Sequence, residues 1–192
     1  MDMGQDYRRA GFWPIPTIEG ELEMAFDIRQ LTSVDSAAWW NLRLEALQHE
    51  PEAFGEDAEE HAATCFDSPH GPLVHPLPGC FVLGAFCGGR LIATMGLFRQ
   101  QRRKSWHKAR LWGVYVTLAF RGKGLARKLL TALIERAKAE GLEQILLTVN
   151  VDQTAACRLY AAAGFQRTGH EEHALKVGDR YVNEDYFLLW LT

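Results

Sequence analysis

The residues Arg121-Gly122-Lys123-Gly124-Leu125-Ala126 carry the clearest chemistry in this chain. They follow an apolar, strand-like run over residues 111–116. They open a helical pattern in which Leu125, Leu129, Leu130, Leu133, Ile134 and Ala137 share one face. A strand, a glycine-rich turn and a helix N-terminus together form an anion site, because the first N–H groups of a helix lack partners inside it and the macrodipole adds positive potential there. Gly122 and Gly124 let the backbone approach a ligand with no Cβ in the way. The ligand class implied is a phosphorylated one. The nucleoside-triphosphate loop, with its closing Gly-Lys-Ser/Thr, is absent, as is the three-glycine turn of dinucleotide binders. What stands here is Arg, two residues, Gly, one residue, Ala. Beyond a second strand-like run at residues 144–150 comes Leu159-Tyr160-Ala161-Ala162-Ala163-Gly164-Phe165, which puts a phenol on an alanine-rich helix.

The elements that must position these groups follow from periodicity and turn residues. Residues 24–29 alternate as a strand. Ser33 is a candidate cap for a helix over 34–49, and a second helix is expected over 57–66. Residues 67–79 form a Pro/Gly/His loop. Residues 80–87 and 91–98 read as a hairpin about Gly88-Gly89. A basic loop at 100–108 leads to a strand at 110–117, in which Gly113 signals a bulge or a close backbone approach. A helix over 124–140 stops at Gly141 and another over 154–163 stops at Gly164, with final strands at 165–176 and 181–191. The order is β-α-α-β-β-β-α-β-α-β-β. Residues 1–23, with Trp13-Pro14-Ile15-Pro16, stand apart as an N-terminal extension, and a leader, a packed arm and an unfolded segment all remain open for it. Residues 24–192 read as a single domain.

A chain of 192 residues with 47% apolar content suits one domain with a full core. No apolar run approaches the ~20 residues of a membrane span, and the N-terminus lacks the apolar stretch of a secretory signal. Cys65, Cys80, Cys87 and Cys157 are scattered and read as buried free thiols, hence a cytoplasmic location. Neither they nor the histidines have metal-ligand spacing, so no metal is expected. No acid occurs between Ser68 and Ile134, where Arg99, Arg102, Arg103, Lys104, Lys108, Arg110, Arg121, Lys123, Arg127 and Lys128 fall. Such a segment suits a polyanionic cofactor, and solvated strand ends explain it equally well. Nucleic-acid binding through residues 99–110 has no supporting motif.

The two motifs, in this order and with a strand between them, resemble the GNAT superfamily of acyl-CoA N-acyltransferases over roughly residues 26–191. The resemblance implies the GNAT fold, an α/β (α+β) domain with a mixed, mostly antiparallel sheet of about seven strands and helices on both faces. It implies acetyl-CoA as co-substrate and direct acetyl transfer, in a ternary complex, to the primary amine of a small molecule or peptide. It places the pantetheine arm along Val114, Tyr115 and Val116, with the Val116 N–H polarising the thioester carbonyl. It places the diphosphate on the amides of residues 122–127, that is Gly122, Lys123, Gly124, Leu125, Ala126 and Arg127, with charge added by Arg121 and Lys123. It makes Tyr160 the general acid at the departing sulfur.

The chain departs from the family pattern at two positions. Gln153 stands where an Asn often contacts the cofactor, and Thr148 stands where one branch carries a Glu general base. The base is therefore sought among Glu171, Glu184 and His107, with Glu172 and His173 nearby in sequence. The acceptor pocket is expected from the region of the first two helices, the 67–79 loop and the last hairpin, and the aromatics and acid there (Trp39, Trp40, Phe54, Glu56) favour a cationic amine. The competing reading is a non-catalytic acyl-CoA-binding or regulatory domain that kept the turn and lost its base. Monomer and homodimer are both compatible with the sequence.

Overall fold

The computed structural model describes residues 26–64 and 71–191. The strands are β1 (Asp27–Gln30), β2 (Phe81–Cys87), β3 (Arg90–Arg99), β4 (Lys108–Val116), β5 (Gln144–Asn150), β6 (Gln166–Val177) and β7 (Arg180–Trp190), and the helices are α1 (Ser36–His49), α2 (Ala58–Ala62), α3 (Leu125–Ala139) and α4 (Thr154–Ala162). The strands form one seven-stranded sheet in the order β1-β2-β3-β4-β5-β7-β6. The sequence order of elements and the mixed, mostly antiparallel sheet are as expected from the chain. Its one parallel contact, β4 with β5, is confined to Lys108–Arg110 against Gln144–Leu146. Beyond that short ladder the two strands part, and a gap opens in the middle of the sheet.

Strand alternation decides which side chains reach each face. Ile145, Leu147 and Val149 enter the larger core, with Leu125, Leu129, Leu130, Leu133 and Ala137 of α3. Thr148 and Asn150 therefore project to the opposite face, under α1. Because Thr148 pairs with Tyr186 and Asn150 with Glu184, those two β7 side chains share that face. A smaller core there joins Leu42 and Ala46 of α1 to Leu31, Val82, Leu91 and Tyr115, with Trp39 and Trp112 packed against it.

Tyr115 reaches the α1 side only because β4 is bulged. Thr94 pairs with Tyr115 and Gly96 with Trp112, leaving Gly113 and Val114 opposite Met95 alone. Gly113 takes φ +61°, a left-handed conformation that suits glycine. The extra residue reverses the parity of the strand. Ala109 and Leu111 point to the α3 core before it, and Val114 and Val116 do so after it. The Tyr115 hydroxyl donates to Glu45 Oε1 of α1 at 3.1 Å. Burial, then the Glu45 charge and hydrogen bond, push that phenol up to about 12.

Gly96 is required for a different reason. A Cβ there would fall 2.5–2.8 Å from the Trp112 indole. Gly96→Ala is expected to lower stability by about 1–3 kcal/mol through overpacking. Urea unfolding checks this, and an unchanged midpoint contradicts it.

Some local expectations shift. The first helix begins not at a Ser33 cap but through a 3₁₀ turn, Ser33–Asp35. Asp35 is anchored by Arg29 of β1 at 2.7 and 2.8 Å and accepts the Thr32 N–H at 2.9 Å, which tightens the entry. The second helix is short. Asp57 caps it, and the Thr64 amide and hydroxyl both bond the His61 carbonyl, at 2.9 and 2.7 Å, and close it. In the basic segment Arg99 is buried, with Nε donating to Trp106 O at 2.8 Å and Nη1 to Glu140 O at 3.2 Å. It clasps the 100–108 loop to the end of α3. Residues 1–23 and Cys65 lie outside the described residues.

Candidate active site

The glycine turn has the geometry of an anion cradle. After β4 a 3₁₀ turn, Leu118–Phe120, leads to Gly122 at φ +76° and Gly124 at φ +74°, the latter serving as N-cap of α3. The first bond inside the helix is Lys128 N to Gly124 O, at 3.1 Å. The amides of Leu125, Ala126 and Arg127 precede it and have no helical partner. A Cβ on Gly122 or Gly124 would meet nothing within 4 Å, so the turn faces open space. These observations fit a diphosphate: donors converge on a space that only small residues leave clear.

The turn lines one cavity of about 780 Å³ that fills the gap between β4 and β5. Its floor includes Val114, Val116, Leu147 and Val149, and Leu159 and Tyr160 of α4 close one side. On the α1 side stand Arg43, Phe54, Arg110, Thr148 and Glu184. The β3 register orients the β4 backbone. Thr117 N bonds Ile92 O at 2.9 Å, so by alternation the N–H and C=O of Val116 face away from β3, toward the gap. The groups of Tyr115 face β3 and its ring faces α1. Of the three residues read from sequence as cofactor contacts along β4, Val114 and Val116 turn main chain to the gap and Tyr115 does not.

Tyr160 is 5% exposed and packs edge-on against Phe165 with ring centroids 5.7 Å apart. Burial pushes its phenol well above the ordinary value, so it holds its proton at any physiological pH. Glu184 lines the cavity from β7, half-buried. Burial first, then the neighbouring Glu171 charge, raise its carboxyl above the usual carboxylate range. A weakly acidic group and a carboxylate of raised basicity thus border one cavity.

Other candidates are placed differently. Glu171 is exposed, outside the cavity, and accepts the Tyr186 hydroxyl. His107 precedes β4, roughly 30 Å along the strand from Val116, and its carbonyl takes the Glu143 amide at 2.9 Å. His173 stacks on Tyr181 at 4.3 Å, on the hairpin surface. Arg121 lines the cavity, but its guanidinium turns back from the turn amides. Its Nε donates to Val116 O at 2.9 Å and its Nη1 to Glu50 Oε1 at 2.7 Å. Gln153 donates to the other Glu50 oxygen at 3.1 Å. Lys123 is exposed, with its ammonium 5.3 Å from the Phe120 ring centroid.

Glu50, Arg43 and Arg110 line the cavity and were missed by sequence reasoning. Glu50 had only the signal of an acidic cluster. Arg110 was legible as an outward position on a strand beside the gap. Arg43 had no signal, being a charged residue on a buried helix face. Among the described residues, no cluster of three His, Cys, Asp or Glu side chains is placed to hold a metal ion, and no helix is long and apolar enough to cross a membrane.

Comparison with known proteins identifies the fold and the family. Among solved structures, that of yncA from Salmonella typhimurium with its cofactor acetyl-CoA superposes with a TM-score of 0.71 at 23% identity, covering 88% of this chain and 95% of that one. The N-alpha-acetyltransferase RimI of Mycobacterium tuberculosis is 34% identical over 87 residues, 45% of this chain and 52% of the relative. N-acetyltransferase 8 of Rattus norvegicus is 30% identical over 83 residues, 43% of this chain and 37% of the relative. The chain thus spans about half or less of the length of these curated relatives. The pattern of the acetyltransferase (GNAT) family matches residues 37–165, which carry α1, both parted strands, the glycine turn and the Tyr160 segment. The chain belongs to the GNAT acetyltransferase family.

Proposed function

We propose that the chain is an N-acetyltransferase that moves an acetyl group from acetyl-CoA to a primary amine by direct transfer, with Glu184 as general base and Tyr160 as general acid. The observation that carries this reading is a single cavity bordered by the amide cradle, the parted strands, a buried phenol and a carboxylate. The names of the bacterial and mammalian relatives support amine acetylation. Among the described residues, the free thiols of Cys80, Cys87 and Cys157 support a reducing, cytoplasmic location.

Acetyl-CoA supplies an activated thioester when bound. Everything else falls to this chain. The amides of residues 125–127 hold the diphosphate, and the main chain of Val114 and Val116 offers partners to the amide-bearing arm. The Val116 N–H is placed to polarise the thioester carbonyl. Arg121 must release the Val116 carbonyl, or share it, as that arm enters. An ammonium with pKa ~8–10 must lose a proton before it attacks, and Glu184, made more basic by burial, receives it. The Tyr160 hydroxyl donates a hydrogen bond to the sulfur as the C–S bond breaks and stabilises its charge; because the thiol pKa, ~8.5, lies below that of a phenol, coenzyme A departs with thiolate character and the proton follows late.

Thiol release from acetyl-CoA over a panel of amines, amino acids and peptides tests the reading. Release that depends on an amine supports it. Tight coenzyme binding with no release from any acceptor would mark a binding domain instead. The base has its own signature. Because the folded-state pKa of Glu184 is raised, wild-type kcat/KM falls as pH drops through it. Glu184→Gln is expected to lose about 10²-fold in activity and to flatten that acid limb. The same shift means that ionised Glu184 costs stability once pH rises through its folded pKa. At neutral pH the Gln variant should therefore melt no lower than wild type, which separates lost chemistry from lost fold.

A further inference from the structure

Building on the proposed acetyl transfer, we infer that the acceptor amine carries a small oxoanion, a carboxylate in the first instance, on the same carbon skeleton, and that Arg43 grips it. Arg43 is 7% exposed, on the α1 face turned to the sheet, and forms part of the cavity wall. One edge of its guanidinium is occupied: Nε and Nη2 reach Glu56 Oε2 at 3.0 and 2.9 Å. Phe54 lies 4.4 Å beneath the guanidinium carbon and holds its plane. The remaining nitrogen, Nη1, is buried and has no hydrogen-bonding partner among the described residues.

A buried cationic donor left unpaired is costly, and native folds complete one with an ordered water, an ion or a ligand. The fork geometry of a guanidinium suits an oxoanion better than any neutral acceptor. The charge around it agrees. Glu56, expected from sequence to attract a cationic amine, has both oxygens engaged, the second by His61 Nδ1 at 2.9 Å. Glu50 is taken up by Arg121 and Gln153. That leaves Glu184 as the acid on the α1 side of the cavity without a salt bridge among the described residues, in a wall that also holds the cations Arg43 and Arg110. Such a wall receives an amine at Glu184 and an anion beside it. It rejects a polyamine, which would bring a second positive charge to Arg43.

The test uses matched acceptors: L-amino acids, their α-amides, the corresponding decarboxylated amines, aminoalkylphosphonates and polyamines. Acetyl-CoA turnover is measured for each, and so is equilibrium binding of each to the full chain saturated with coenzyme A. Acceptors bearing the carboxylate should exceed their amides by about 10²-fold in kcat/KM or in binding. Arg43→Met should reduce that ratio to within about threefold. Because Arg43→Met leaves Glu56 facing a hole, the double variant Arg43→Met/Glu56→Gln is measured beside it, with thermal melting to confirm a folded chain. Preference for aminoalkylphosphonates over carboxylates, lost in the same variants, keeps the oxoanion site and changes only its ligand. Equal use of amides and carboxylates by wild type overturns the inference, as does a preference that survives in a folded Arg43 variant. Arg43-dependent carboxylate binding with no turnover of any acceptor would uphold the anion site and sink the transferase reading. Binding of none of the anionic acceptors would sink the site.

Discussion

Tyr160→Phe is expected to lower kcat for amine acetylation by about 10²–10³-fold, the range of a lost general acid, while the affinity for coenzyme A stays near that of wild type. The substitution removes one oxygen and keeps the ring that packs on Phe165. Its effect therefore isolates the proton from the packing. The phenol is deeply buried, and burial raises it above its ordinary value of 10.0. A raised acid stays protonated across the working range, so no alkaline decline of kcat assignable to Tyr160 should show near neutral pH. Expelling a thiolate without a donor remains possible, because thiols are acidic, so the loss is large but finite. An unchanged kcat under conditions where chemistry limits turnover would remove Tyr160 from the mechanism and leave it a core residue.

Gly124→Val should raise the KM for acetyl-CoA by about 10²-fold or more and lower stability by about 1–2 kcal/mol, the cost of a left-handed conformation for a residue with a Cβ. The two losses have separate origins. Gly124 sits at φ +74° and ψ 4°, which a β-branched side chain resists. Its missing Cβ also opens onto the space where the amides of α3 converge, so a valine there intrudes between the donors and a phosphate. Each displaced charge-assisted bond is worth about 1.5–3 kcal/mol. Gly141, past the other end of the same helix, provides the control. It has φ +71° and equally open surroundings but lies outside the cavity. Gly141→Val should lower the melting temperature by a similar amount and leave coenzyme binding alone. Calorimetric titration with coenzyme A and thermal melting of both variants check this. If both bind as wild type does, the turn is not a phosphate cradle.

The order of elements, the glycine turn and its helix, and the break in strand regularity at Gly113 were legible from the chain. Each depends on nearest neighbours. A helix stripe such as Leu125, Leu129 and Leu133, a left-handed glycine or a strand alternation is set by backbone sterics and by burial of one face, and neither needs a distant partner. Helix boundaries were less legible where a side chain from elsewhere set them, as Arg29 does for the entry to α1 through Asp35.

The destinations of long charged side chains were not legible. Arg121 was expected on the phosphates, yet it bonds Glu50 across 71 positions of chain, and Gln153 reaches the same carboxylate across 103. Among the three candidate bases, sequence gave no ground for choosing. Pairing of β7 with β5 brings Glu184 into the cavity, the edge position of β6 leaves its cross-strand neighbour Glu171 exposed outside it, and the far end of β4 holds His107 away. Local sequence dictates what a segment becomes and which way its apolar face turns, because those energies act over a few residues. Charge pairing, desolvation and the meeting of acid, base and anion clamp at one cavity depend on how the sheet is ordered and parted, and that order is a sum over contacts between segments far apart in the chain.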